Sequence, residues 1–358
     1  MKRQIDMPIE YGKNQAKIIG GVAILLMLFH HFFGFPSWLK PGIEFTSILP
    51  YIIEFDIAQF GKMCVAIYAF NSGYAMWSSQ SSYTYAKMPV RIFKFLTQYW
   101  LVALLFILYA FVVGDKMPTL EQFAYNLFGF KTGSQSFVNV IISWYVYFYI
   151  AILLLSPILI RLFKPEGFIR SCVVAFSLMI ASWAAIKLNI ESEIVGAIVG
   201  SLYGYLGSVL AGILVCKFNL FNVIDRAIGS RNVLLYIAVI CSLVYARKYI
   251  YVPFLIFNTD VLWVVIFIYC VLATLRAVKS ERVEQILQFL GTYSMNMWFV
   301  NAIFFAGTLD ILQRVLYFPK YSILVYVWGV LLTLVVSMFC SVVYNKLSSG
   351  VSALMCRK

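Results

Sequence analysis

The stretch IIGGVAILLMLFHHFFGF, Ile18–Phe35, decides the fold of this chain of 358 residues. It contains no Asp, Glu, Lys or Arg, and its 18 residues are about enough for a helix to cross a hydrocarbon core of about 30 Å. Nine further apolar runs are separated by short charged loops, which is the pattern of a polytopic membrane protein. The ten predicted spans are Ile18–Phe35, Ile57–Trp77, Phe95–Val113, Val138–Ile160, Phe168–Ile186, Val195–Val215, Val233–Ala246, Val261–Leu275, Leu287–Phe305 and Ile323–Tyr344.

The composition supports an all-α chain embedded in a membrane. Hydrophobic residues make up 62% of the chain and charged residues 12%, against about half and about a quarter in soluble globular domains. A soluble core of this length cannot cover so much apolar surface. The chain has no internal repeat, low-complexity linker or appended soluble domain. We therefore expect one transmembrane domain, residues 1–358, built as a polytopic integral membrane helical bundle of about ten spans.

The net charge of +13 is spread over many loops, and no basic run exceeds two residues. This distribution indicates membrane topology rather than a nucleic-acid surface. With a cytoplasmic N-terminus, 19 of the 28 Lys and Arg residues fall on cytoplasmic segments, including the loop around Lys87–Lys94. The bias predicts an even number of crossings with both termini in the cytoplasm. The seven cysteines lie in or beside apolar runs without a CxxC pair, which favours small buried hydrophobes over a metal site.

The chain contains only two histidines, His30 and His31, which are neighbours in the first span. Ionisable groups inside a span are costly and usually face a cavity or a partner. Neighbouring helix positions point about 100° apart, whereas Gly20 shares a face with His31 and Lys17 lies within about 40° of that face. The two histidines could be functional, or they could only hydrogen-bond neighbouring helices.

Four further motifs accompany the histidines along the chain. They are FNSGY at Phe70–Tyr74, RIFKFLTQYW at Arg91–Trp100, SWYVYFY at Ser143–Tyr149 and LGTYSMNMW at Leu290–Trp298. In this order the motifs resemble the membrane acyltransferase 3 family, whose members acylate envelope polysaccharides and related hydroxyl acceptors. The resemblance covers nearly the whole chain. It implies a multi-pass O-acetyltransferase of the bacterial cytoplasmic membrane that uses acetyl-CoA as donor and an envelope or capsular polysaccharide, or its lipid-linked precursor, as acceptor.

The resemblance also marks the histidine that carries the chemistry. In the family a basic residue precedes this histidine with ten residues between them, and the spacing assigns the histidine to His31. The basic position falls on Gly20, which departs from the family pattern, and Lys17, one turn earlier, is the candidate replacement. The ninth span departs as well, because Tyr293 and Asn301 stand where related sequences often carry histidines.

The chemistry of acyl transfer predicts roles for the candidate catalytic residues. A neutral imidazole can deprotonate an acceptor hydroxyl near pH 7, or His31 can itself carry the acyl group before passing it on. The developing oxyanion needs hydrogen-bond donors, for which the candidates are Lys62, Ser72 and Tyr74. His30 is the second candidate beside His31, with packing as its alternative role.

Lys62 is expected to lie about one helical turn inside an apolar run. Glu54 and Asp56 stand just ahead of it and could pair with it or orient an imidazole.

Coenzyme A carries phosphates, which cationic side chains at the cytoplasmic face can bind. Lys17, Arg91 and Lys94 are the candidates for this donor site, and Trp144 is a further candidate donor-site residue. Arg91 and Lys94 could equally act only as topology anchors.

Two rival functions use the same bundle without this chemistry. One is a multi-pass transporter or flippase of lipid-linked saccharide, although the matched broken helices that many transporters show are not found in the sequence. The other is a sensor or scaffold that uses the bundle only for partners. Neither a nucleic-acid partner nor a metal is expected, and homo-oligomer formation is left open.

Overall fold

The computed structural model of the chain describes residues 9–113, 119–130, 140–188, 190–228, 232–249, 258–305 and 310–355. Over these ranges the chain is helical, and its extended pairing is an isolated parallel bridge between Thr46 and Tyr321. The all-α fold predicted from the apolar runs is therefore confirmed. The helices are α1 (Lys13–Phe33), α2 (Tyr51–Phe60), α3 (Met63–Ser78), α4 (Met88–Val113), α5 (Leu120–Asn126), α6 (Val140–Phe163), α7 (Phe168–Ile186), α8 (Glu193–Phe218), α9 (Leu220–Ile228), α10 (Val233–Tyr249), α11 (Asp260–Val278), α12 (Glu281–Phe305), α13 (Asp310–Tyr317) and α14 (Ser322–Met355).

The chain groups into two compact units, each made of separate segments. The first unit comprises Met1–Met27, Asp56–Tyr85 and Leu155–Thr292, and the second comprises Leu28–Phe55, Ala86–Leu154 and Tyr293–Lys358. Helices α1, α2, α6 and α12 each contribute residues to both units. The expectation of a single domain over residues 1–358 stays a prediction.

Seven of the described helices are long and apolar enough to cross a membrane, namely α1, α4, α6, α7, α8, α11 and α14. Helices α9 and α10 together form an eighth candidate, in which the chain bends. Helix α12 has 25 residues, but Ser294, Asn296 and Asn301 make it more polar than these spans. Seven to eight spans are thus supported within the described ranges, and the count of about ten stays a prediction.

The second predicted span, Ile57–Trp77, is not one continuous helix. Helix α2 ends at Phe60 and α3 begins at Met63, with a turn at Gly61 and Lys62 between them. Glycine is a weak helix former, and the break leaves the Lys62 side chain exposed. Helix α3 alone has 16 residues, fewer than the roughly 20 that a spanning helix usually needs.

Close backbone contact fixes α1 against α12 in the first unit. A Cβ atom at Gly21 would lie 2.0 Å from the carbonyl oxygen of Leu287, and one at Gly291 would lie 1.8 Å from that of Lys17. Only residues without a side chain allow this approach, as is common between helices in membranes. The contact brings the first half of the histidine helix directly onto α12.

The charge bias predicts a membrane topology, and this topology can be tested at two exposed side chains. Ser81 and Glu121 are both exposed, and the basic residues place Ser81 in the cytoplasm and Glu121 outside. In a cysteine-free background, a membrane-impermeant maleimide should therefore label Glu121→Cys in intact cells and label Ser81→Cys only after permeabilisation. Labelling of Ser81→Cys in intact cells would overturn the orientation.

Candidate active site

His31 lies in the last turn of α1, in the second unit, and is hydrogen-bonded to α12. Its Nδ1 atom is 2.7 Å from Oδ1 of Asn301. The Asn301 side chain is completely buried, whereas His31 is half-buried. A buried amide is stable only when its polar atoms have partners, so this contact joins the two helices at a defined point.

The Asn301 amide determines which nitrogen of His31 carries the proton. Its Nδ2 donates to the carbonyl oxygen of Met297 at 3.2 Å and also to that of Trp298. Only the NH₂ group of an amide can donate to carbonyls, so Oδ1 is the atom that faces His31, and it can only accept. The neutral imidazole must therefore carry its hydrogen on Nδ1, which leaves the lone pair on Nε2.

Three aromatic rings, Phe35, Trp38 and Phe305, form what we call the aromatic clamp. The His31 ring stacks on Phe305 with a centroid distance of 4.4 Å and an interplanar angle of 14°. Trp38 stacks on Phe35 at 4.0 Å and on Phe305 at 5.7 Å. The stack fixes the plane of the imidazole while the bond to Asn301 fixes its rotation, so the His31 ring has one preferred orientation.

His30 has a different environment from its neighbour. Its ring lies edge-on to Phe35 at 4.8 Å and 5.5 Å from the His31 ring. His30 is 6% exposed. Both histidines therefore belong to one cluster, but His31 is the one that Asn301 orients. The prediction that the two are not interchangeable is consistent with this difference and is still to be tested.

The other candidate catalytic residues lie in the first unit. Lys62 is exposed at the break before α3, so the expectation that it lies inside an apolar run is wrong. The Ser72 hydroxyl donates to the carbonyl of Tyr68 in its own helix at 2.9 Å. The Tyr74 ring packs against Tyr11 at 4.6 Å. Roles for Lys62, Ser72 and Tyr74 as oxyanion donors stay predictions.

The two acidic residues ahead of Lys62 have other partners in the structure. Glu54 is buried and accepts a hydrogen bond from the Ser322 hydroxyl at 2.8 Å. Asp56 forms an ion pair with Lys248 at 2.8 Å. Within the part of the chain that the structure describes, these acids therefore do not pair with Lys62 or with an imidazole. Glu54 contacts α14 and Asp56 contacts α10 instead.

The candidate donor-site residues are divided between the units. Lys17 is half-buried in the first unit, whereas Arg91, which is half-buried, and Lys94, which is exposed, begin α4 in the second. Trp144 is half-buried on α6, edge-on to Tyr145 at 5.9 Å. Within the described ranges, no three His, Cys, Asp or Glu side chains lie close enough together to hold a metal ion.

Sequence reasoning missed the partners of His31. The sequence marks Asn301 only as a replacement for a family histidine, and nothing in it connects Asn301 with a residue 270 positions earlier. The position of Asn301 four residues after Met297 does allow an amide to bond back to its own helix, as it does here. Phe35 and Trp38 follow the histidines closely, but their stacking depends on Phe305 from another helix.

One of three comparisons with known proteins identifies the family of this chain. The family model of the acyltransferase 3 family, described as an acyltransferase domain, matches residues 19–345. The match includes α1 from residue 19 onward, with His31, and the whole of α12, with Asn301. The comparisons with curated proteins and with solved structures found no match. The family match over nearly the whole chain and the seven apolar helices show that this chain belongs to the acyltransferase 3 family of membrane acyltransferases.

Proposed function

We propose that this protein is an integral membrane O-acyltransferase of the bacterial cytoplasmic membrane. It moves an acetyl group from acetyl-CoA to a hydroxyl of an envelope or capsular polysaccharide or of its lipid-linked precursor. The observation that carries the proposal is the hydrogen bond of 2.7 Å between His31 Nδ1 and Asn301 Oδ1. It leaves the lone pair of a half-buried imidazole on Nε2, which is the form that a general base needs.

The proposed reaction uses His31 first as a base and then as an acid. Nε2 takes the proton of the acceptor hydroxyl as its oxygen attacks the thioester carbonyl. The carbon–sulfur bond breaks, and the imidazolium returns the proton to the departing thiolate. The products are an ester and free coenzyme A, so atoms and charge balance. Throughout the cycle Nδ1–H keeps its bond to Asn301, whose oxygen stabilises the positive charge on the ring.

A second route through the same residue is transfer of the acyl group to Nε2 and then to the hydroxyl. This route also needs an unprotonated Nε2. The Asn301 contact therefore supports His31 in either route, and the two differ only in whether an acyl-enzyme forms.

The donor site separates this enzyme from a flippase. We expect the protein in lipid to bind acetyl-CoA, with Lys17, Arg91 and Lys94 as the candidate residues for its phosphates and Trp144 as a further candidate donor-site residue. Lys17→Ala and Arg91→Ala should each weaken binding about 5- to 30-fold, as expected for loss of one charge-assisted contact of about 1–2 kcal/mol. Isothermal calorimetry with acetyl-CoA measures the effect.

The matched control is Lys187→Ala, because Lys187 is exposed at the end of α7 on the predicted external side. It should bind acetyl-CoA like the wild type. Unchanged binding in both Lys17→Ala and Arg91→Ala would remove these residues from the donor site. Absence of binding by the wild type would favour the transporter or flippase instead.

A further inference from the structure

We propose that Gln313 is a positioning residue for His31 and acts through the aromatic clamp. The inference rests on the proposed function of His31 as the base. Gln313 lies on α13 and is 1% exposed. A glutamine is costly to bury unless its amide is hydrogen-bonded, so the partners of this side chain indicate what it does.

Gln313 joins the two chain segments that carry the clamp. Its Nε2 donates to the carbonyl oxygens of Trp38 at 3.0 Å and of Phe305 at 3.1 Å. Its Oε1 accepts from the backbone N–H of Lys40 at 2.8 Å. Trp38 belongs to the short turn after α1 and Phe305 is the last residue of α12. One amide therefore fixes the position of the Trp38 segment relative to the end of α12.

The position of these segments controls the His31 ring. Phe305 stacks directly on the imidazole, and Trp38 stacks on both Phe35 and Phe305. If Trp38 and Phe305 move relative to each other, the surface on which His31 rests changes. Errors of about 1 Å in the placement of a reacting group can cost about 10²-fold in rate.

A second contact from α13 supports the end of the histidine helix. Tyr317 lies one turn after Gln313, and its hydroxyl donates to the carbonyl oxygen of Phe32 at 2.6 Å. Phe32 is the residue next to His31. Residues four apart share a helix face, so a single face of α13 contacts both the clamp segments and the last turn of α1.

The test variant is Gln313→Met, which keeps the length and approximate volume of the side chain and removes its hydrogen bonds. We expect kcat for acetyl-CoA-dependent glycan acylation in isolated membranes to fall about 10- to 100-fold. The KM for acetyl-CoA should change by no more than about twofold, because the donor site is untouched. Tyr317→Phe should also lower kcat, by a few-fold.

A spectroscopic readout separates positioning from general destabilisation. The chain has only two histidines, so protein labelled with ¹⁵N-histidine gives two ring spin systems, which His30→Gln assigns. Wild-type His31 should show a single tautomer with the proton on Nδ1, and Gln313→Met should show a mixture of tautomers. Thr333→Val is the control, because Thr333 is buried in the same unit but bonds to carbonyls of its own helix.

The outcomes keep this inference distinct from the proposed function. Wild-type kcat and a single tautomer in Gln313→Met would overturn the role of Gln313, even with His31→Ala inactive. An equal loss of kcat in Thr333→Val would also overturn it, since destabilisation alone would then explain the effect. If Gln313→Met does not accumulate, Tyr317→Phe decides: wild-type kcat and an unchanged His31 signal in that variant would reject the positioning role of α13. Retained activity in His31→Ala would instead overturn the proposed function.

Discussion

Replacing His31 with alanine is expected to lower acyl transfer by about 10²–10⁴-fold, the usual effect of losing a general base. His30→Ala should keep most of its activity. The reason is the difference between the two environments, since Asn301 orients His31, whereas His30 is buried with its ring edge-on to Phe35. Both variants should insert into the membrane and bind acetyl-CoA.

The measurement is the acetyl content of the envelope glycan in cells that carry each variant at matched membrane abundance. An inactive His30→Ala with an active His31→Ala would show that the chemistry belongs to the neighbouring residue. Full activity in both variants would remove histidine chemistry from the mechanism altogether.

Replacing Asn301 with leucine is expected to reduce kcat by about 10²-fold or more, because a wrongly oriented or wrongly protonated imidazole cannot act as the base. Leucine fills a similar volume but offers no acceptor to Nδ1–H. The buried donor then lacks its partner, which costs about 1–3 kcal/mol of stability as well. The KM for acetyl-CoA should stay close to that of the wild type.

Asn296→Leu provides the matched control for this effect. Asn296 lies five residues earlier on α12, is also buried, and donates to the Ser341 hydroxyl at 2.8 Å rather than bonding a histidine. It should lose stability to a similar degree with a much smaller loss of kcat. Equal losses in Asn296→Leu and Asn301→Leu would mean that α12 packing, not the orientation of His31, explains the result.

The fold class could be predicted from the sequence, but the number and continuity of the spans could not. Long apolar runs require helices in a membrane because each backbone group must be bonded within its own segment. The same reasoning cannot show that a turn at Gly61 and Lys62 interrupts the second run, since glycine is frequent in transmembrane helices and a lysine is tolerated there when it is paired. It also predicts a span over much of α12, where polar residues serve contacts inside the protein.

The candidate site could be predicted only in part, for a related reason. His31 is identified by its place in an apolar helix and by its spacing, which are local features of the chain. Asn301 and Phe305 reach it from α12, and contacts between distant segments leave no periodic signal in one sequence. The role of Gln313 leaves even less signal in the sequence. Its side chain bonds to backbone atoms of Trp38, Phe305 and Lys40, which every residue type provides.

The protonation state of the His31 ring distinguishes a base oriented by Asn301 from a histidine in the wrong tautomer. The measurement is ¹⁵N NMR of the histidine-labelled wild-type protein in lipid at neutral pH, with His30→Gln for assignment. We expect a neutral His31 ring with the proton on Nδ1, bonded to Asn301, and a bare Nε2. A His31 ring with the proton on Nε2 and a bare Nδ1 would contradict this mechanism, because Asn301 would then not set the tautomer and Nε2 could not take the proton of the acceptor hydroxyl.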